Sequence, residues 1–201
     1  VQKYLPRCGK RIAWTEMPQG KKWYAFKVRQ STTTSLSPDE IHSIGLKEVA
    51  RIREAMSALR KQTGFSGSPS EFSNFLKTDK RFFYNSADEL IRGYRDLAKR
   101  IDPQLPLLFG KLPRLTYGVQ PIPEFAAPSQ PTAYYQPGSP AAGRGGTFFA
   151  NTYDLKSRPK WEMEALTAHE AVPGHHLQMA LAQEMEGVPE FRKNDAYNAF
   201  V

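Results

Sequence analysis

Apolar residues recur at helical spacing over residues 41–59, where Ile41, Ile44, Val49, Ile52, Met56 and Leu59 fall along one stripe. The segment just before it supplies a start signal. Ser37 can cap, Pro38 suits the first turn, and Glu40 can reach back to close a capping box. A long amphipathic helix is therefore predicted, with its stop at Gly64. Ser68, Pro69 and Glu71 repeat the signal for a short helix through Leu76, and Ser86 with Glu89 opens a third helix that reaches Ile101 before Pro103. Residues 22–29 (KWYAFKVR) alternate instead and are rich in aromatics, which predicts a strand after the turn at Pro18, Gln19 and Gly20.

Beyond Asp102 the texture changes, because ten of the sixteen prolines fall between Pro103 and Pro159 among short aromatic and β-branched runs. Residues 115–122, 133–136 and 147–155 are predicted strands, and the prolines around them favour sheet edges and irregular pairing. The AAGRGG run at 141–146 is a flexible tip; without a following Lys-Ser/Thr it makes a poor phosphate loop. Helical spacing returns over residues 161–172, is interrupted at Pro173 and Gly174, and resumes over 175–186. Another helix is expected to begin near residue 195.

Composition narrows the class. A chain of 201 residues with 40% hydrophobic and 24% charged residues can bury a core and is not a disordered chain. No apolar run approaches the roughly 20 residues that span a bilayer, and any export signal would lie upstream of Val1. The single Cys8 excludes an internal disulfide and a cysteine-built metal site, and leaves the redox compartment open. The net charge of +8 sits almost wholly in residues 1–30, where Lys3, Arg7, Lys10, Arg11, Lys21, Lys22, Lys27 and Arg29 face Glu16 alone. Trp14, Trp23 and Tyr24 interleave with these charges, as a single-strand binding surface would also show. The plainer reading is a solvated basic edge on a hairpin, or an end that packs on further protein. No nucleic-acid partner is expected, because the excess is local.

Three of the four histidines fall within eight residues: His169, His175 and His176, with Glu170 beside the first. The fourth, His42, lies in the first turn of the long helix and reads as a surface or packing residue. In a zinc-peptidase helix, histidines at i and i+4 present their imidazoles on one face, about 6 Å apart along the axis, and a neighbouring Glu serves as general base. Here position i+4 is Pro173, which cannot bind metal. On a regular helix His175 would face the wrong way, and His176 would lie about 10.5 Å along the axis, too far for two bonds of roughly 2.0–2.1 Å to one zinc. Pro173 removes a donor and clashes with the His169 carbonyl, while Gly174 tolerates an unusual backbone. Two extra residues bulging out of one turn would return His175 to the face of His169.

The run HEAVPGHHLQ, with Phe149-Ala150-Asn151 and Ser157-Arg158-Pro159 before it, resembles the bacterial domain of unknown function 885 family. Leu36 to His42, Gly45 to Val49 and Leu112-Pro113-Arg114 extend that resemblance over nearly the whole chain. The family is similar to zinc-dependent metallopeptidases of the gluzincin type. What the resemblance implies is a zinc hydrolase, a peptidase with a peptide substrate, with His169 and His175 as metal ligands and Glu170 as general base. His176 would orient an oxyanion or replace His175 as ligand. An edge strand at 147–155 would pair with substrate backbone through Ala150 and Asn151, unless Asn151 is only a polar residue at the turn. The third ligand would be an acidic residue beyond residue 201, because Glu184 and Glu186 follow His175 on the same helix and cannot fold back onto the metal. Residues 1–201 would then be one segment of a larger metallopeptidase-like domain, inactive alone, and relatives suggest an exported or envelope-associated protein. The alternative is a non-catalytic peptide- or envelope-binding protein derived from such an enzyme.

The fold expected is α+β and zincin-like. Amphipathic helices should flank a small, irregular, mostly antiparallel sheet beside a kinked metal-binding helix, over a basic strand region (1–35), a helical region (36–102), a Pro-rich extended region (103–159) and a metal-helix region (160–201). An apolar face left uncovered would favour self-association.

Overall fold

The computed structural model describes residues 3, 7–9 and 13–193; the helix expected near 195 lies outside them. The chain divides into two compact units, one ending at Phe65 and the other beginning at Ser66. In the first unit, helix α1 covers Gly20–Thr32 and α2 covers Pro38–Gln62. Ser37 caps α2 in the predicted way: its side chain accepts from the Glu40 amide, and the Glu40 carboxylate accepts from the Ser37 amide at 2.8 Å. The apolar stripe of α2 stays largely open, with Met56 at 63% and Leu59 at 60% exposure.

The strand expected over 22–29 is corrected: these residues are the body of α1. Alternation over eight residues also leaves i, i+3 partners, and those contacts form here. Trp23 meets Phe26 edge-on at 6.1 Å, and Lys27 donates to Gln30 at 2.9 Å. The turn at Pro18 to Gly20 is real, but it leads into a helix: Gly20 packs so closely under Trp14 that a Cβ there would lie 1.7 Å from the Trp14 carbonyl oxygen. The basic residues Lys21, Lys22, Lys27 and Arg29 stand exposed on this helix, not on a hairpin.

In the second unit, α3 (Pro69–Thr78) starts at a capping box on Ser68. Helix α4 (Ala87–Ile101) starts at Ser86, whose side chain accepts from the Glu89 amide. Three strands follow, β1 (Tyr117–Pro121), β2 (Ala133–Gln136) and β3 (Gly146–Ala150), and then α5 (Lys160–Glu170), α6 (His175–Gln183) and the short α7 (Glu190–Lys193). The molecule thus combines helices with one small sheet, as the α+β expectation has it. The sheet order is β1-β3-β2, with β1 parallel and β2 antiparallel to β3. It is mixed, which corrects the mostly antiparallel expectation. Chain direction explains it: β2 returns antiparallel but leaves a strand's width beside β1, and β3 enters that gap.

This placement also corrects the expectation that residues 147–155 form an edge. β3 is the middle strand, and it ends at Ala150. It contains no proline, so every amide can donate, whereas β1 ends in Pro121 and suits an edge. Gly146, Phe148 and Ala150 are buried, and Phe148 is the largest fully buried side chain, edge-on to Tyr94 at 5.1 Å. Leu90, Ile91, Tyr94 and Ala98 form the inner stripe of α4, and Met163 and Ala171 close the same core from the side of α5. A second cluster joins Leu105, Val172 and Leu177. Phe148→Ala is predicted to cost about 3–5 kcal/mol of folding stability, read by urea denaturation; a loss below about 1 kcal/mol would contradict this account of the core.

Candidate metal centre

α5 ends on His169 and Glu170, and α6 begins on His175. Between them the chain leaves helical geometry for four residues. Ala171 takes φ −100° and ψ −100°, the Val172–Pro173 peptide is cis, and Gly174 takes φ −79° and ψ −132°. The Ala171 amide makes the last bond of α5, to the Thr167 carbonyl at 2.9 Å. Across the break, the His176 amide donates to the Ala171 carbonyl at 3.0 Å. Gly174 is required sterically, since a Cβ there would lie 1.9 Å from the His169 carbonyl oxygen and 2.5 Å from that of Ala168. The insertion is therefore taken up by a full break between two helices that still touch through backbone.

The break brings His169, Glu170 and His175 together. One donor atom from each lies within 4.8 Å of the others, and the two imidazole rings sit 4.7 Å apart, nearly perpendicular at 74°. Glu170 is buried at 7% exposure, His175 is half-buried and His169 is exposed, so the cluster opens on one side. Two imidazoles and a carboxylate are a donor set that could hold a divalent transition-metal ion.

His176 lies outside this cluster. It is buried at 2% exposure, with Nδ1 2.8 Å from the Tyr135 hydroxyl and Nε2 3.0 Å from the Leu115 carbonyl oxygen. Burial pushes its pKa down. The Tyr117 and Tyr135 rings flank it at 4.7 and 5.6 Å. Burial also raises the Tyr117 hydroxyl, which donates to Asp102 at 2.8 Å. The sequence isolates His176, but its partners lie 41 and 61 residues away, and no local signal marks them.

Ala150 and Asn151 are buried, in the sheet and at its end. The Ala150 carbonyl accepts from Ile122, and the Asn151 amide donates to Thr132. Asn151 Nδ2 donates to the carbonyls of Ala127, Gln130 and Pro131 at 2.8–3.1 Å, and its Oδ1 accepts from the Tyr153 amide. Asn151 thus buckles the loop before β2 to the end of β3, and neither residue offers a free backbone edge. Glu184 is committed elsewhere as well, accepting from the amides of Arg114 and Leu115. A cleft of about 570 Å³ runs beside β1, with His176, Val172 and Leu177 in one wall, and the metal-type cluster does not line it.

The model of the family described as "Bacterial protein of unknown function (DUF885)" matches residues 1–201. The chain belongs to this family. A solved structure, "The crystal structure of the putative lipoprotein from Colwellia psychrerythraea", superposes with a TM-score of 0.88 at 27% sequence identity. The match covers 98% of this chain and 34% of that one, so the chain spans about a third of the length of this neighbour. None of the curated proteins matches this DUF885 chain.

Gly174→Ala is predicted to force the two helices apart. The expected outcome is a clear drop in melting temperature, with loss of the contact between the His169 and His175 rings in NMR spectra. An alanine variant with unchanged stability and ring contact would contradict the close-approach argument.

Proposed function

We propose that this DUF885 chain carries the metal-binding part of a zinc-dependent hydrolase that cleaves peptides. The observation that carries the reading is the convergence of His169, Glu170 and His175 from two helix ends onto one point. Imidazole donors at this separation can share one ion, and an adjacent carboxylate is the group such chemistry needs. His169 and His175 would hold the zinc, which when bound supplies Lewis acidity to water and to a scissile carbonyl. Glu170 accepts the proton of the attacking water and returns it to the leaving amine, a role suited to a carboxylate buried on one side and open to the cluster on the other. His176 keeps both ring nitrogens in protein hydrogen bonds, which supports neither the ligand role nor the oxyanion role for it.

Activity belongs to a family-length protein in this reading, with a third ligand supplied by other parts of that chain. The description of the Colwellia neighbour as a lipoprotein supports a place at the cell envelope. Among the described residues no helix is long and apolar enough to cross a membrane.

Two outcomes test the proposal in a family-length protein that contains this sequence. Hydrolysis of a mixed peptide pool should require zinc, stop on chelation and return when zinc is restored. Glu170→Gln should lower turnover about 10²–10⁴-fold while zinc stays bound. Unchanged turnover would overturn the assigned base. Zinc bound without any hydrolysis by the unaltered protein would favour a peptide-binding protein instead.

A further inference from the structure

His176 is a buried histidine that the proposed chemistry does not use, and it follows His175 directly in the chain. Its bonds run to two separate places in the unit: Tyr135 in β2 and the Leu115 carbonyl two residues before β1. The Leu115 oxygen can only accept, so His176 Nε2 carries a hydrogen. Nδ1 lies 2.8 Å from the Tyr135 hydroxyl, which can donate to it or accept from it. Both nitrogens are then occupied, with no lone pair for a metal. The Tyr135 hydroxyl lies against Gly146, which leaves it room that a side chain there would take. Leu115 is fixed by Glu184 just past the end of α6, whose carboxylate accepts from the Leu115 amide at 3.1 Å.

These contacts brace the first turn of α6. The preceding peptides at Ala171–Gly174 are non-helical, so that turn has no helical turn before it and is tied back by the His176 amide to Ala171 and the Gln178 amide to Gly174. We propose that His176 is a positioning residue, tied to Tyr135 and the Leu115 carbonyl so that the start of α6 presents His175 to His169 and Glu170. The inference rests on the zinc reading for its consequence, but its geometric content stands apart from it. A partner that orients the chain next to a ligand behaves like the outer-shell groups of other metal sites, whose loss weakens binding about 10–100-fold.

In a family-length protein that contains this sequence, the test compares Tyr135→Phe and His176→Leu with the unaltered protein by zinc titration and by NMR detection of the His169–His175 ring contact. Both variants should keep the fold. Tyr135→Phe should weaken zinc binding about tenfold, and His176→Leu should weaken it further and erase the ring contact. Phe75→Ala, which removes the ring contact with Phe82 and lies in neither core cluster, should lower the melting temperature and leave zinc affinity unchanged. Folded variants with unaltered affinity and ring contact would overturn the proposal. Should His176→Leu fail to fold, Tyr135→Phe decides, since it removes a single oxygen. Should the unaltered family-length protein bind no zinc, the zinc reading falls, and the ring contact alone decides whether His176 positions His175.

Discussion

A Cβ at position 174 would lie 1.9 Å from the carbonyl oxygen of His169, so the end of one helix and the start of the next touch through bare backbone. That approach lets α6 begin beside the last turn of α5 instead of continuing beyond it. On an unbroken helix, a residue six positions on would lie about 9 Å further along the axis. With the break, the rings of His169 and His175 stand 4.7 Å apart. Glycine at 174 and a proline that cannot donate at 173 permit this path, and packing fixes it, since Ala171 and Val172 are buried in the two core clusters.

The sheet serves this junction from below. β3, with no proline and three buried positions, takes the middle and fixes β1 and β2 on either side of it. Through β2 it carries Tyr135, and ahead of β1 it carries Leu115, the two groups that hold His176. Asn151 secures the loop before β2 with its side-chain amide and so stabilises the strand that carries Tyr135. Arg158 adds to the same buckle by donating to the Asn151 carbonyl and to Thr132.

Local chemistry was legible in the sequence wherever a few neighbouring residues decide the outcome. Ser37, Ser68 and Ser86 mark three helix starts because a cap needs only the amides two or three residues on. Residues 133–136 form a strand with the expected bounds. The grouping of His169, Glu170 and His175 follows from the steric demands of Pro173 and Gly174. Pairing across the sheet was not legible. Which strand lies in the middle depends on chain direction and on which segment can donate along both edges, and neither property is local. The segment 22–29 was misread because eight alternating residues satisfy a period of two while still offering i, i+3 contacts. The role of His176 was hidden for the same reason as the sheet order, since its partners come from distant strands.

The central claim is that His169 and His175 share one metal ion, and X-ray absorption at the zinc edge of the zinc-loaded protein tests it most directly. Scattering from two imidazoles, with zinc–nitrogen distances of about 2.0–2.1 Å, falling to one imidazole in His175→Ala but staying at two in His42→Ala, is the predicted result. Zinc that is not retained, or a first shell with fewer than two imidazoles, would contradict the account.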